Sequence, residues 1–135
     1  MEKTLITCED GYRLTGHFFR PATESPRGAV LLSPATGFRH QVYFNFATML
    51  SEQGFAVLAF SNRGIGDSRN DTPLAELSAD LVDWGILDLP AALDQLIALA
   101  EQSGLIRPLT RWVMEQALAA REVLLEAGLD LTVSI

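Results

Sequence analysis

One serine of the chain lies in a glycine-containing segment that is close to the sequence pattern around a catalytic nucleophile. A reactive serine is held clear of a sheet by a strained strand-to-helix turn with the pattern G-x-S-x-G. The nearest match is Gly66-Asp67-Ser68-Arg69-Asn70, in which asparagine stands at the second glycine position. We therefore interpret Ser68 as a turn residue whose hydroxyl bonds local backbone, and Ser134 as an exposed strand serine.

The two histidines of the chain are the other candidates for acid–base chemistry. His17 lies in a strand-like run, where a surface or cross-strand role is usual. His40 follows the segment Thr36-Gly37-Phe38 at a predicted helix start, where it would either make a hydrogen bond at the helix end or reach a substrate. Neither has a serine and a carboxylate at matching positions, so no Ser-His-Asp triad is predicted.

Glycines and carboxylates near residue 65 raise the question of a cofactor. Gly64-Ile65-Gly66 follows a predicted strand, but the third glycine of a dinucleotide-binding loop is missing. The acidic residues of this region are scattered rather than clustered: Asp67, Asp71, Asp80 and Asp83. This spacing favours a solvated face over a metal site, so we predict neither a metal nor another cofactor.

Composition excludes several classes of protein. The 135 residues carry 10 basic and 17 acidic side chains, a formal net charge of −7 that argues against a nucleic-acid partner. No apolar run approaches the roughly 20 residues of a membrane span, and the N-terminus lacks a signal-peptide pattern. A single cysteine, Cys8, excludes an internal disulfide. We expect one cytoplasmic domain over residues 1–135.

The first half of the chain has the pattern of strands around one helix. Runs at Thr4–Cys8 and Leu14–Phe19 flank Asp10-Gly11, a pair typical of a hairpin turn. Apolar runs at 28–32 and 55–60 enclose a helical pattern over 43–53, which makes a βαβ unit.

The second half is predicted to be mainly helical. Residues 63–72 are predicted to form a loop, and a helix is predicted to begin at Asp88 as its N-cap. A longer helix is predicted over 108–127, and the alternating residues 129–135 indicate a half-buried strand. The fold class is therefore α/β with a mostly parallel sheet.

Residues from about 6 to 96 resemble the N-terminal part of an α/β-hydrolase, close to the hydrolases related to serine aminopeptidases and lysophospholipases. The resemblance rests on short segments in a fixed order: 10–11, 32–37, 54–57, 62–68, 83–85 and 88–93. It implies that Ala35, Thr36 and Gly37 form the loop that supplies one backbone N–H of an oxyanion hole. The family's nucleophile, acid and histidine come later in its chain, in a region without a counterpart here.

Residues from about 96 to 135 resemble a different family, the EAL-type phosphodiesterases that cleave cyclic di-GMP. The matching segments are 98–106, 109–118 and 129–135. The Glu-Ala-Leu motif itself is absent, and the resemblance brings no metal ligand. The chain is therefore interpreted as a join of a hydrolase-like segment, 1–96, and an EAL-like segment, 97–135, from a natural recombination, a truncated gene or a laboratory chimera.

The hydrolase resemblance also implies a strand order. The early strands of that family are arranged 1-2-4-3, and strand 129–135 would take the vacant place beside strand 3. We expect a truncated hydrolase-like sheet of five strands in the order 1-2-4-3-5, with an N-terminal hairpin and flanking helices. A homo-oligomer is expected through an exposed sheet edge or the long helix.

Three functions follow from this interpretation. The first is a catalytically incompetent hydrolase-like domain. The second is a weak serine esterase that uses an unrecognised serine or a site shared across a dimer. The third is a module that binds a small acyl or nucleotide ligand near Thr36 and Gly64.

Overall fold

The structure, a computed structural model, describes residues 1–102. Four strands form one sheet in the order β1-β2-β4-β3. They are β1 (Glu2–Thr7), β2 (Arg13–Phe19), β3 (Gly28–Leu32) and β4 (Phe55–Phe60). The predicted order of the first four strands is thereby confirmed, whereas the fifth strand, at 129–135, and the helix at 108–127 lie outside the described residues.

The sheet is mixed, so the prediction of a mostly parallel sheet is wrong for the described strands. β1 pairs antiparallel with β2, and β2 pairs antiparallel with β4; β3 and β4 alone of these neighbours are parallel. The physical reason is the hairpin, because its turn reverses the chain and leaves β2 running against the direction of β4. The α-helical crossover between β3 and β4 produces the parallel pair.

A short helix covers one face of the sheet between β3 and β4. A single 3₁₀ turn, His40–Tyr43, leads into α1 (Phe44–Glu52). The prediction of a helix here is confirmed, and Ala47 of α1 is fully buried against the sheet. The predicted loop after β4 contains one more 3₁₀ turn, Gly66–Arg69.

A helical segment that begins at residue 81 covers the opposite face. It consists of α2 (Leu81–Asp83), a π-helical turn (Trp84–Asp88) and α3 (Leu89–Gln102). The predicted N-cap at Asp88 is wrong, because the carboxylate of Asp80 caps the segment and accepts hydrogen bonds from two backbone N–H groups, those of Val82 and Asp83.

The π turn has a local cause in the sequence. Pro90 has no N–H, and its ring would clash with the carbonyl four residues earlier in a regular α-helix. The backbone widens instead, and the Leu89 N–H donates to the carbonyl of Trp84, five residues back. This widened turn carries Asp88 into the interior, where it is 0% exposed.

The core is divided between the two faces of the sheet. Alternate residues of β4 point to opposite sides. Ala56, Leu58 and Phe60 pack on the α3 side, whereas Val57 and Ala59 pack on the α1 side. No helix within residues 1–102 is long and apolar enough to cross a bilayer.

Candidate functional site

The carboxyl ends of β3 and β4 lie at the same edge of the sheet because these strands are parallel. The loops 33–39 and 61–73 leave from this edge. In open α/β sheets, ligands bind in the crevice outside the carboxyl ends of the strands. The candidate site is therefore built from these two loops and from the side chains beneath them.

The loop after β3 holds the three predicted oxyanion-loop residues. Ala35, Thr36 and Gly37 are all exposed, and the Phe38 N–H donates to the carbonyl of Ala35 at 3.0 Å to close a tight turn. Gly37 has a φ of +80°, a backbone conformation that would be strained for a residue with a side chain. The Ala35 N–H donates to the hydroxyl oxygen of Tyr43 at 3.2 Å. An anion at this N–H would have to displace that contact.

A chain of three polar side chains lies beneath the loops on the α1 face of the sheet. The Ser61 Oγ lies 2.6 Å from His40 Nδ1. His40 Nε2 in turn lies 2.7 Å from His17 Nδ1. Ser61 directly follows β4 and continues the side-chain alternation of Val57 and Ala59. Its side chain therefore lies on the α1 face of the sheet, where it contacts His40 in the connection between β3 and β4.

The direction of the hydrogen bonds in this chain follows from the donors available. Ser61 Oγ already accepts the backbone N–H of His40 at 3.1 Å. Its own hydrogen needs an acceptor, and His40 Nδ1 is the one within reach among the described residues. His40 then donates through Nε2 to His17 Nδ1. The chain therefore runs from Ser61 through His40 to His17, with both imidazoles neutral.

Burial keeps these imidazoles uncharged. His40 is 0% exposed, and burial followed by the neighbouring His17 lowers its pKa to about 4. Burial and the charge of Lys3 likewise lower the pKa of His17. The ring of Phe44 packs edge-on against both imidazoles. His40 is therefore a neutral acceptor for the serine hydroxyl, but a pKa of about 4 makes it a weaker general base than an ordinary histidine, and Ser61 is also 0% exposed.

Ser68 does not lie on an exposed turn. It is fully buried, accepts the Thr15 N–H at 2.8 Å and donates to the carbonyl of Ser61 at 2.7 Å. The expectation that its hydroxyl bonds backbone is confirmed, but one of the two partners is in β2, 53 residues away, and not in the local turn. Ser68 thus joins the 3₁₀ turn after β4 to β2 and to the residue that directly follows β4.

A second polar network lies at the other side of the same loop. Arg63 Nε lies 2.7 Å from Asp88 Oδ1, and the Arg63 backbone N–H donates to Asp88 Oδ2 at 2.7 Å. The rest of the guanidinium bonds both carboxylate oxygens of Asp10 in the hairpin turn and lies over the ring of Tyr12. Arg63 therefore connects the hairpin, the loop after β4 and the π turn.

The charges in this network shift the pKa values of Arg63, Asp10 and the neighbouring Cys8. Burial by itself lowers the pKa of Arg63, but the hydrogen bonds that Arg63 donates to Asp10 and Asp88 outweigh burial and raise the pKa above its ordinary value. The Arg63 hydrogen bond lowers the pKa of Asp10. Cys8 Sγ lies 3.6 Å from Asp88, and burial followed by that carboxylate raises the pKa of its thiol to about 11. Cys8 is a protonated, unreactive thiol at neutral pH.

Three of the four carboxylates predicted to lie on a solvated face make local contacts. Asp80 and Asp83 form the capping box of α2. Asp67 lies 3.8 Å from Lys3 Nζ on the surface. Within the described part of the chain, no three metal-ligating side chains come together.

Both histidines were predicted as candidate residues from the sequence, but their contact with each other was not. Ser61 and Arg63 were not predicted as site residues. The signal for Ser61 is present in the alternation of β4, which continues one residue past the apolar run and directs that side chain to the helix-covered face. Nothing in the local pattern connects it to His40, which is 21 residues away.

Comparison with known proteins shows a likeness of limited extent among solved structures. No protein-family model and no curated protein sequence matches the chain. Among solved structures, the chain is similar to the α/β hydrolase GrgF from Penicillium sp. sh18, with 28% identity and a TM-score of 0.43. The match covers 48% of this chain and 22% of that hydrolase. None of these comparisons supports the EAL-like resemblance.

Proposed function

We propose that this chain is a hydrolase-like α/β scaffold that has no hydrolytic activity of its own. The strand order β1-β2-β4-β3 is the order that the sequence resemblance implied for the start of such a sheet. The segment Asn62–Ser68 is the most specific part of that resemblance. Its residues Arg63 and Ser68 make structural hydrogen bonds, to Asp88 and to the carbonyl of Ser61.

The observation that carries this proposal is the burial of Ser61 and His40. Both side chains are 0% exposed, so a carbonyl carbon cannot approach the Ser61 oxygen in this arrangement. A nucleophile needs its reacting atom within about 3–3.5 Å of the substrate carbon. The Ser61-His40-His17 chain then acts as a structural tie between β4, the crossover and β2.

The short distances between Ser61, His40 and His17 favour a second candidate, a weak serine esterase. Ser61 would lose its proton to His40 Nδ1 as its oxygen bonds the substrate carbonyl carbon, and His40 would return that proton to the leaving alcohol. His17 would hold the His40 ring in the required orientation. This reaction requires the packing around Ser61 to open, because its side chain is 0% exposed.

A fluorophosphonate probe distinguishes these candidates, because it labels a serine only when the hydroxyl is accessible and activated. We expect no labelling of the native chain and no hydrolysis of p-nitrophenyl acetate above the background rate. Labelling that persists in S33A, which lacks an exposed serine of the loop, but disappears in S61A would establish the esterase and overturn the scaffold proposal.

A third candidate, a small-ligand module, requires no reactive serine. A polar cleft at the carboxyl edge is lined by Arg39 and by residues of the 3₁₀ turn after β4, although neither Thr36 nor Gly64 is part of this lining. Binding there would stabilise the folded chain in proportion to ligand concentration.

A further inference from the structure

A cleft of about 470 Å³ lies between the end of the β3 loop and the 3₁₀ turn after β4. Its lining residues are Arg39, Gly66, Asp67, Arg69, Asn70 and Asp71. This volume is within the range of about 300–1,000 Å³ that is usual for small-ligand sites. Nearly all of its lining is polar, so its occupant must be polar as well.

The two arginines of the cleft have no carboxylate partner among the described residues. By contrast, Arg20 and Arg63 each form an ion pair with an acidic side chain. A guanidinium offers a planar fork of N–H donors that matches the two oxygens of a carboxylate or phosphoryl group. Arg39 and Arg69 thus bring ten such donors to one cleft, five from each side chain.

Arg39 is positioned by the glycine opposite it. A Cβ built on Gly66 would lie 3.1 Å from Arg39 Cγ and 3.3 Å from its Cδ, so the aliphatic stem lies directly against the glycine backbone. Gly66 also has a φ of +52°, where a side chain would be strained. The contact restricts the stem and reduces the entropy that the side chain would lose on binding a ligand.

The backbone that follows Arg69 adds donors. Asn70 and Asp71 have φ values of +53° and +60°, a left-handed conformation that follows the 3₁₀ turn. A right-handed residue followed by a left-handed one turns successive N–H groups into a shared concavity that suits anions. Within residues 1–102, neither of these two N–H groups donates to another backbone carbonyl.

The charged side chains that line the cleft are two arginines and two aspartates, so the lining is formally neutral. Asp67 lies 3.8 Å from Lys3 Nζ, which offsets its charge. With Lys3 included, three cationic side chains accompany the two carboxylates, Asp67 and Asp71. The chain as a whole has a formal net charge of −7, so a neutral cleft with two arginines is less acidic than the average of the chain.

We propose that this cleft binds a small-molecule oxyanion, the carboxylate or phosphoryl group of a ligand, between the guanidinium groups of Arg39 and Arg69. The proposal does not depend on whether Ser61 reacts. It deepens the small-ligand candidate by naming the residues and the chemical group that they recognise.

Titration calorimetry at low ionic strength tests this site with two probes, inorganic pyrophosphate and succinate. We expect at least one probe to bind saturably, and the relative affinities distinguish a phosphoryl site from a carboxylate site. R39Q and R69Q are each expected to weaken binding roughly tenfold, because each removes a charge-assisted bidentate contact. Binding should also weaken with added salt.

R27Q is the matched control, because Arg27 has the same charge but lies over the ring of Phe55, away from the cleft. We expect R27Q to bind both probes as the unmodified chain does. Equal weakening in R27Q would mean attraction by net charge alone, and absence of saturable binding by either probe would also overturn the proposal. R39K, which retains the charge and a stem against Gly66, is expected to bind more weakly than the unmodified chain while unfolding at the same temperature.

Failure of this test and failure of the scaffold proposal have different signatures. If the oxyanion proposal is wrong, neither pyrophosphate nor succinate binds in calorimetry, while Ser61 still shows no fluorophosphonate labelling. Loss of the scaffold proposal appears as fluorophosphonate labelling at Ser61, whatever the calorimetry reports.

Discussion

Arg63 Nε and Asp88 Oδ1 lie 2.7 Å apart, and both side chains are buried, although 25 residues separate them in the chain. The pair joins the loop after β4 to the π turn, and Asp10 completes it from the hairpin. A buried carboxylate that loses its cationic partner is strongly destabilising, because its charge is left without compensation.

R63A is therefore expected to lower the free energy of unfolding by about 3–5 kcal/mol, as measured by urea denaturation. R20A is the matched control, because Arg20 forms an exposed pair with Glu2 that contributes only about 0–1 kcal/mol. R63K, with its charge but without the planar fork, should be intermediate. An R63A chain that unfolds within 1 kcal/mol of the R20A chain would show that the network contributes little.

Acid is expected to destabilise the fold through His40 well before the carboxylates titrate. Burial lowers the pKa of His40 to about 4 in the folded chain, whereas in the unfolded chain it is near the ordinary value of 6.5. Between these values the unfolded state binds more protons, so stability is complete above pH 6.5 and falls as the pH approaches 4. The loss should be about 3 kcal/mol, and the lowered pKa of His17 acts in the same direction.

Urea unfolding at several pH values between 7 and 4 measures this effect. H40N, which lacks the titrating ring of His40, should show a shallower profile over the same interval, with the residual slope due to His17. Asp10 has a lowered pKa and contributes only at more acidic pH, so it does not confound the comparison. An equal acid sensitivity in H40N would contradict the assignment to His40.

Cys8 should react slowly with alkylating reagents in the folded chain. Its thiol is buried and has a pKa raised to about 11, so little thiolate is present or accessible at pH 8. Iodoacetamide labelling followed by mass spectrometry should be slow in buffer and rapid in urea. C8S gives the background, and similar rates in buffer and urea would mean that the thiol is exposed in the native state.

The single-domain organisation of residues 1–135 remains a prediction. If the hydrolase-like and EAL-like segments share one core, they should unfold together. Trp84 and Trp112 lie in different segments, so the variants W84F and W112F each retain one fluorescent reporter. Coincident urea transitions in the two variants are expected. Separate midpoints would indicate two independently folding parts.

Self-association through the sheet edge also remains a prediction. Among the described strands, β3 pairs on one side only, and its sequence Gly-Ala-Val-Leu-Leu carries no charge to oppose pairing with another chain. Pairing between chains at this edge is the alternative to its occupation by the predicted strand 129–135. The opposite edge strand, β1, begins with Glu2 and Lys3, which disfavour such pairing. Light scattering should give a mass above that of one chain at high concentration. A monomeric mass at every concentration would contradict the expectation.

Local patterns in the sequence were sufficient for the four described strands and for α1. The apolar run of β4 and the Asp10-Gly11 turn each indicate their structure within a few residues, because side-chain periodicity and turn chemistry are local properties. The start of the second helical segment was misplaced, because its apolar stripe begins at Leu89 whereas its cap, Asp80, precedes a widened turn. That turn shifts the helical period that the prediction relied on.

The sequence by itself determined the order of local elements, the buried character of β4 and the exposed loop of Ala35, Thr36 and Gly37. Only the tertiary structure decided that Ser61 meets His40 and that Arg63 meets Asp88, since each contact joins residues more than 20 positions apart. Such contacts depend on the antiparallel placement of β2 beside β4 and on the faces that the two helical segments cover. Register and packing of this kind arise from the whole chain folding together, which no local periodicity encodes.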